Sequence, residues 1–402
     1  MLTGKTVLLG VTGGIAAYKM PNVARMLKKL HCNVHVLMTK NATNFITATT
    51  FETLTGNKCL IDTFDRNFEF SVEHVALAKQ ADLVLIAPAT ANVIGKIAGG
   101  IADDMLTTTV MACTCKRLVA PAMNHNMYQN PIVQVNLEKL KRYGYEIIEP
   151  VVGMLANGDI GSGKLPGEET LVEYVLKELA YEKDLAGRKV LVTAGPTREA
   201  IDPVRFITNH STGKMGYALA KTAMQRGAQV TLVSGPVDLA PPLFVDTVQV
   251  ESAGEMYEAV MRLAPEQDII IKAAAVADYR PTQVSSEKIK KQEGASAIAL
   301  QRTDDILGTL GEAKAAGNIH AFLCGFSMET EHMLENSRAK LKKKKVDMIA
   351  ANNLRTEGAG FGTDTNVLTL ITADGEQNLA LMSKEAAAGR ILDAIRSAAA
   401  FL

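Results

Sequence analysis

The chain has 402 residues, and 43 Lys plus Arg balance 43 Asp plus Glu, so its formal net charge is zero. That length allows two or three domains whose cores need no disulfide or metal staple, and the charge balance excludes bulk attraction to nucleic acid or an anionic membrane. Five irregularly spaced cysteines, Cys32, Cys59, Cys113, Cys115 and Cys324, exclude a disulfide framework or zinc pattern and fit free thiols in a reducing cytoplasm.

Taken in chain order, the apolar run before Gly13-Gly14 is too short for the core of a signal peptide. Short strands rich in Val, Ile and Leu are predicted over 6–11, 33–39, 82–87, 117–120 and 145–148, with a helix over 16–30. The most apolar long window, 84–102, is broken by Pro88, Asn92 and Lys96 and does not match a membrane span of ~20 residues. A charged stretch at 181–188 follows, and the strand pattern restarts at 189–193, 229–233, 269–273, 321–326, 348–351 and 367–371. Continuous apolar strands alternating with helices indicate parallel sheets covered on both faces. The expected architecture is α/β, with two Rossmann-like, doubly wound domains over 1–180 and 189–402 and a linker at 181–188. A soluble cytoplasmic protein is expected, with no membrane and no nucleic-acid partner.

Gly13-Gly14 after the first strand presents backbone N–H groups and a helix start, which suits a phosphate. A dinucleotide site would need G-x-G-x-x-G and an acid near the end of the second strand. That strand instead ends Leu37-Met38-Thr39-Lys40. A hydroxyl and a base there favour a mononucleotide such as FMN over NAD.

Three further segments are individually weak. They are Ser71-Val-Glu-His74, Ala87-Pro-Ala-Thr-Ala-Asn92 running on to Asp104, and Pro121-Ala-Met-Asn124-His-Asn-Met127-Tyr128. Alone, His74 reads as a helix-terminal residue and Asn124 as a turn former. Together and in this order they resemble the FMN-dependent cysteine decarboxylases, over residues 1 to about 180. The resemblance implies a flavodoxin-like FMN domain. In this family FMN takes two electrons from the substrate's β-carbon–thiol unit, carbon dioxide leaves, and the enethiolate is reduced back. It implies His74 as base or proton relay and Asn124 as the holder of the substrate carboxylate or amide. Gly13, Gly14, Ile15, Ala16, Thr39, Thr90 and Asn92 would line the flavin.

The glycine-rich segment from Gly153 to Lys164 reads as a flexible loop. In the family it is a substrate clamp of pattern Leu-Ala-Cys-Gly, whose cysteine protonates the enethiolate. Here that position is Asn157. A thiol titrates near ~8.5 and can donate a proton near neutrality; an amide cannot. The last reduction is therefore expected to be slow or absent, with Cys113 and Cys115 as conceivable substitutes.

In the second half, Asn209-His-Ser211-Thr212-Gly213-Lys214 before an Ala-rich helix is another anion-binding helix start, without the spacing of a Walker loop. Ala273-Ala274-Ala275-Val-Ala-Asp278, Glu287-Lys288, Asp304-Asp305-Ile306-Leu307, Gly325-Phe326 and the lysines at 340–345 follow. This order resembles the CTP-dependent phosphopantothenate–cysteine ligases over about 188–390. The two resemblances in tandem match the bifunctional decarboxylase/ligase family of coenzyme A biosynthesis. That implies attack of the 4′-phosphopantothenate carboxylate on CTP, an acyl-cytidylate, and displacement of CMP by cysteine. The amide product, 4′-phosphopantothenoylcysteine, is the decarboxylase substrate.

By motif, Asn209 would act on the acyl-phosphate and Lys288 would act in the first step from a lid. Ala273, Ala274, Ala275, Asp278, Asp304, Asp305, Ile306, Leu307, Phe326, Lys340 and Lys344 would surround CTP, with Asp278 a candidate ligand of Mg²⁺. The family further implies homo-oligomers, through trimeric flavin domains and dimeric ligase domains. Two other readings remain open at this point: a ligase whose first half is an FMN-binding assembly scaffold, and a NAD-linked oxidoreductase, disfavoured by the missing fingerprint.

Overall fold

The structure, a computed structural model, describes every residue except 65–72, 155–157, 159, 291–296, 330–332, 354–359, 361 and 400–402. It divides into two compact units, Met1–Tyr181 and Glu182–Leu402.

The first unit is built on β1 (Thr6–Val11), β2 (Asn33–Met38), β3 (Leu83–Ala89), β4 (Lys116–Pro121) and β5 (Tyr145–Ile147). They pair in the order β2-β1-β3-β4-β5, all parallel, which is the flavodoxin-like doubly wound order. Alternation divides β1 between two cores. Val7, Leu9 and Val11 pack with Leu27 and Leu171, while Leu8 packs with Val93, Leu106 and Leu137 on the other face. Burial of every residue in β1 and β3 follows from that double cover.

Two predicted elements change form. The helix over 16–30 is a 3-10 turn, Ile15–Lys19, followed by an α-helix, Met20–Lys29. Pro21 sets the boundary, because its fixed φ and missing N–H suit a first helical turn and not an interior. The segment expected as a flexible loop contains an antiparallel pair, β6 (Val151–Met154) and β7 (Ile160–Lys164).

The second unit contains β8 (Lys189–Ala194), the short pair β9 (Glu199–Ala200) and β10 (Phe206–Ile207), then β11 (Gln229–Ser234), β12 (Asp246–Gln249) and β13 (Ile269–Lys272). A second short pair, β14 (Tyr279–Pro281) and β15 (Leu300–Arg302), precedes β16 (Phe322–Glu329), β17 (Met348–Asn353), β18 (Thr365–Thr372) and β19 (Glu376–Ser383). The main sheet runs β12-β11-β8-β13-β16-β17-β18-β19. Its first six strands are parallel in the Rossmann order, and β18 and β19 extend it antiparallel. The sequence did not mark β19, where Leu379 is buried, Met382 is half-buried and the other residues are exposed. Strand order reverses at β8, so the crevice outside the carboxyl ends of β8 and β13 is the switch point where such sheets bind ligands.

Of residues 181–188, predicted as a linker, Tyr181 ends the first unit and 182–188 belong to the second. Leu185 is fully buried in its core, the Leu185 amide donates to the Arg226 carbonyl at 3.0 Å, and Asp184 pairs with Arg226 and Arg396.

Candidate functional site

Strand ends converge at the carboxyl edge of the first sheet. Thr12 Oγ1 donates to the Pro88 carbonyl at 2.6 Å and accepts from the Thr90 amide at 3.0 Å, which locks the β1 turn to the β3 turn. At Gly13 a Cβ would lie 2.5 Å from the Cβ of Asn41, so the close approach of the β1 turn to the segment after β2 requires glycine. The Thr39 amide donates to the Val11 carbonyl at 3.0 Å. Its hydroxyl is buried with no hydrogen-bond partner. Gly14 and Ala16 are half-buried and Ile15 is exposed. Thr90 caps helix Ala91–Gly99, its Oγ1 accepting from the Val93 amide at 3.4 Å, and Asn92 is exposed on the first turn. Helix starts and one unsatisfied buried hydroxyl make an edge suited to a phosphate.

Asn124 caps helix His125–Gln129, its Oδ1 accepting from the Asn126 amide at 2.9 Å. The next residue ties this motif to the β6–β7 hairpin. His125 Nδ1 lies 3.0 Å from Ser162 Oγ and 3.1 Å from the Ser162 amide nitrogen, and the Met123 amide donates to the Gly163 carbonyl at 3.0 Å. Asn157, between β6 and β7, lies outside the described residues. His74 sits in the first turn of helix Glu73–Gln80, which feeds β3. A helix returning antiparallel to its strand carries that turn toward the same edge. Cys113 and Cys115 instead precede β4, at its amino end. A six-residue strand at roughly 3.3 Å per residue separates them from the Asn124 edge, so neither stands in for a cysteine at 157.

In the second unit, Asn209 Nδ2 donates to the Ala275 carbonyl at 2.5 Å while its Oδ1 accepts from the Ser211 amide at 3.0 Å. The segment after β13 is stapled to the turn after β8. The Ala274 amide donates to Thr193 Oγ1 at 3.1 Å, Ala275 to the Gly195 carbonyl at 2.9 Å, and Ala277 to Thr197 Oγ1 at 3.0 Å. A cavity of about 290 Å³ opens at these strand ends, lined in part by Ala273, Ala274, Ala275, Asp278, Phe326 and Lys340.

Lys340 Nζ donates to the Phe326 carbonyl at 2.9 Å. Lys344, one helical turn on, pairs with Asp305, which caps helix Ile306–Ala315 by accepting from the Gly308 amide at 3.0 Å. Burial alone would raise the Asp305 carboxyl, but the Lys344 bond holds it below the usual carboxylate range. Lys342, Lys343 and Lys345 are exposed, so the basic run divides into inward and solvated positions. Asp304 is exposed, whereas Ile306 and Leu307 are buried in the core with Leu310. Those two bring the helix start, not their side chains, to the site.

Lys288 is exposed on a segment fastened one residue later: the Ile289 amide donates to Asp202 Oδ2 at 3.1 Å, and Arg205 Nη2 donates to the Ile289 carbonyl at 2.9 Å. Arg205 holds the buried Asp202 carboxyl far below the usual carboxylate range. Among the described residues no group of three or more His, Cys, Asp or Glu is placed to hold a metal.

Sequence reasoning missed His125, Ser162, Asp202 and Lys272. The last carried a visible signal, a charge ending a strand that is otherwise three isoleucines.

Residues 1–180 match a family model described as Flavoprotein, and residues 185–398 match one described as DNA/pantothenate metabolism flavoprotein C-terminal domain. The chain is 47% identical over 388 residues to the coenzyme A biosynthesis bifunctional protein CoaBC of Bacillus subtilis (strain 168), covering 96% of this chain and 95% of that protein. It is 45% identical over 398 residues to the protein of the same name from Vibrio vulnificus (strain YJ016), covering 98% of each. Among solved structures, the C-terminal domain of a coenzyme A biosynthesis bifunctional protein CoaBC is 46% identical, with a TM-score of 0.46, covering 54% of this chain and 97% of that one.

Proposed function

Because the chain belongs to the family of coenzyme A biosynthesis bifunctional proteins, we propose that residues 1–180 form its FMN-dependent decarboxylase domain and residues 189–402 its CTP-dependent ligase domain. The enzyme joins cysteine to 4′-phosphopantothenate and decarboxylates the resulting 4′-phosphopantothenoylcysteine. The observation that carries this reading is the tandem match of both halves over nearly the full length of the relatives.

In the second unit, ligation begins when the 4′-phosphopantothenate carboxylate attacks the α-phosphate of CTP and pyrophosphate leaves. Lys340 and the start of helix Ile306–Ala315 provide positive charge for the phosphate chain, and Lys344, paired with Asp305, fixes that helix start beside it. Lys288 serves this first step from its tethered segment. Asn209, fixed by Ala275 and Ser211, presents its amide to the acyl-cytidylate while the cysteine amine displaces CMP. Mg²⁺ is held by one or two carboxylates plus substrate phosphates in sites of this kind, and Asp278 on the cavity wall fits that role.

The residues present in the first unit fit FMN: the Thr39 hydroxyl, buried without a partner, and the Gly13-Gly14 turn after β1 would hold its phosphate. When bound, FMN supplies the two-electron chemistry. His74 moves a proton at the substrate thiol, and Asn124 holds the substrate carboxylate until carbon dioxide leaves. Asn157 replaces a thiol proton donor with an amide, so conversion to 4′-phosphopantetheine is slow or halts after decarboxylation. That substitution also favours a second reading, a ligase whose first unit binds FMN as an assembly scaffold. Exposed Ile132, Val135, Val152 and Ile160 support homo-oligomer formation through the first unit, as trimers, with the ligase units pairing as dimers. A cytoplasmic location goes with this reading as an enzyme of coenzyme A biosynthesis; no helix among the described residues is long and apolar enough to cross a membrane.

Anaerobic single-turnover incubation with 4′-phosphopantothenoylcysteine separates the two readings. The expected result is carbon dioxide with little 4′-phosphopantetheine, and recovery of the product in an Asn157→Cys variant. Absence of carbon dioxide would favour the scaffold, and fast 4′-phosphopantetheine formation by the unchanged protein would overturn the role given to Asn157.

A further inference from the structure

Lys272 ends the central strand β13, after three isoleucines that are buried on both faces of the sheet. Strand alternation places it on the face of Ile270. Ile270 packs in the core with Leu307, Leu310 and Leu341, so this face is the one covered by helices Ile306–Ala315 and Met333–Lys344. Lys340 and Lys344 come from the second of those helices and Asp305 from the start of the first.

Lys272 lines the same cavity of about 290 Å³ as Lys340 and Asp278, with Lys214 and Lys384 also on its wall. Those last two are committed elsewhere. Lys214 Nζ bonds Asp364 at 2.6 Å, and Lys384 Nζ bonds the Gly360 carbonyl at 3.0 Å. Lys344 and Asp305 neutralise each other. Among the described residues, the Lys272 ammonium makes no hydrogen bond and no ion pair. Lys272 is half-buried on the cavity wall, and an ammonium partly withdrawn from water without a hydrogen-bond partner is costly unless a ligand completes it.

We propose that Lys272 is a phosphate-chain contact of the ligase site, acting with Lys340 on the β- and γ-phosphates of the nucleoside triphosphate. The inference rests on the ligase reading above and adds to it a residue that the motif comparison did not include. A triphosphate brings several negative charges to a pocket end where lysines outnumber unpaired carboxylates. A nucleoside monophosphate brings its charge only to the α position, so the Lys272 contact distinguishes the two.

The electrostatics give the contact a second signature. Without nucleotide, burial first, and then repulsion from Lys340 and Lys344, push the Lys272 ammonium down to about 8, against the partial support of Asp305 and Asp278. Phosphates beside it restore the charged form. At pH 8, where a group of that pKa is half protonated and a triphosphate is fully ionised, binding therefore takes up about half a proton per site.

The test is calorimetric titration of the full chain with CTP, and separately with CMP, at pH 8 in two buffers of different ionisation enthalpy. No 4′-phosphopantothenate or cysteine is added, so no turnover occurs. Lys272→Met is expected to weaken CTP roughly tenfold or more, to leave CMP within about twofold, and to abolish the proton uptake. Lys272→Arg, which keeps a charge that does not titrate, is expected to retain CTP binding without the uptake. Should Lys272→Met fail to fold, the loss of uptake in Lys272→Arg still decides the matter. Unchanged CTP affinity in Lys272→Met, or equal weakening of CTP and CMP, overturns the proposal. Failure of the unchanged protein to bind CTP overturns the ligase reading instead.

Discussion

The Thr39 hydroxyl is buried at the carboxyl edge of the first sheet and finds no partner there. A buried hydroxyl without a hydrogen bond costs stability, and it persists where a ligand satisfies it. Thr39→Val keeps the shape and removes the hydroxyl. FMN affinity is expected to fall about tenfold, the loss of one charge-assisted bond to phosphate, while the flavin-free protein melts at the same temperature or higher. Flavin fluorescence on dilution and thermal unfolding of the stripped protein read the two effects. Equal flavin retention by both proteins would remove Thr39 from the phosphate site. Thr39 was legible in the sequence because a hydroxyl ends a strand where a dinucleotide site needs an acid. Lys272 was overlooked because a motif carried from relatives begins at Ala273, one residue later. His125 and Ser162 could not be paired from sequence, since their contact spans 37 residues and depends on a hairpin that the sequence does not announce.

That hairpin shows how far element-level reading reaches. Strands with continuous apolar runs were legible because burial on both faces leaves no polar interruption. β6 and β7 lack that signal: Val151, Val152, Met154 and Ile160 are exposed, and the rest of the pair is largely glycine, serine and lysine. Tertiary contact decides their form instead. Gly163 adopts φ +123° with its carbonyl against the Met123 amide, and a Cβ there would collide with the Met123 carbonyl oxygen. Gly163→Ala therefore carries both backbone strain, on the order of 1–3 kcal/mol, and a steric conflict with the Asn124 motif. Carbon dioxide release is expected to fall at least about tenfold while CTP-dependent ligation is retained. Assaying both half-reactions on one preparation checks this. Parallel loss of the two activities would mean that the hairpin supports folding of the chain and not the decarboxylase edge.

Across the whole molecule, zero net charge conceals local pairings that make stability depend on pH. In the first unit, burial raises Glu146, but Lys177 and Lys116 more than offset it and hold the carboxyl below its ordinary value of 4.5. In the second, burial likewise opposes ionisation of Asp184, yet Arg226 and Arg396 hold it below 3.8, as Lys344 does for Asp305. A carboxyl whose folded pKa is depressed contributes fully above its unfolded value, and the contribution is lost as pH falls from there through the folded value. Lys272 has the opposite sense. Its folded pKa of about 8 lies below the ordinary 10.5, so the empty site is penalised most below pH 8 and the penalty fades as pH rises toward 10.5. The melting temperature of the nucleotide-free protein is thus expected to ease down as pH falls below about 6.5, where burial and then Lys28 hold the His35 pKa under its ordinary value and the unfolded chain takes up that proton first, and to drop further as pH falls below about 4.5. Asp184→Asn should flatten part of that drop by removing one depressed carboxyl, at the cost of a lower melting temperature near neutrality, where Arg226 loses its charged partner. A CTP concentration well above its dissociation constant should raise the neutral-pH melting temperature through mass action. A melting temperature that holds level down to pH 3 would show that these ion pairs form equally in the unfolded chain, and that the depressed carboxyls do not govern the acid limit of this enzyme.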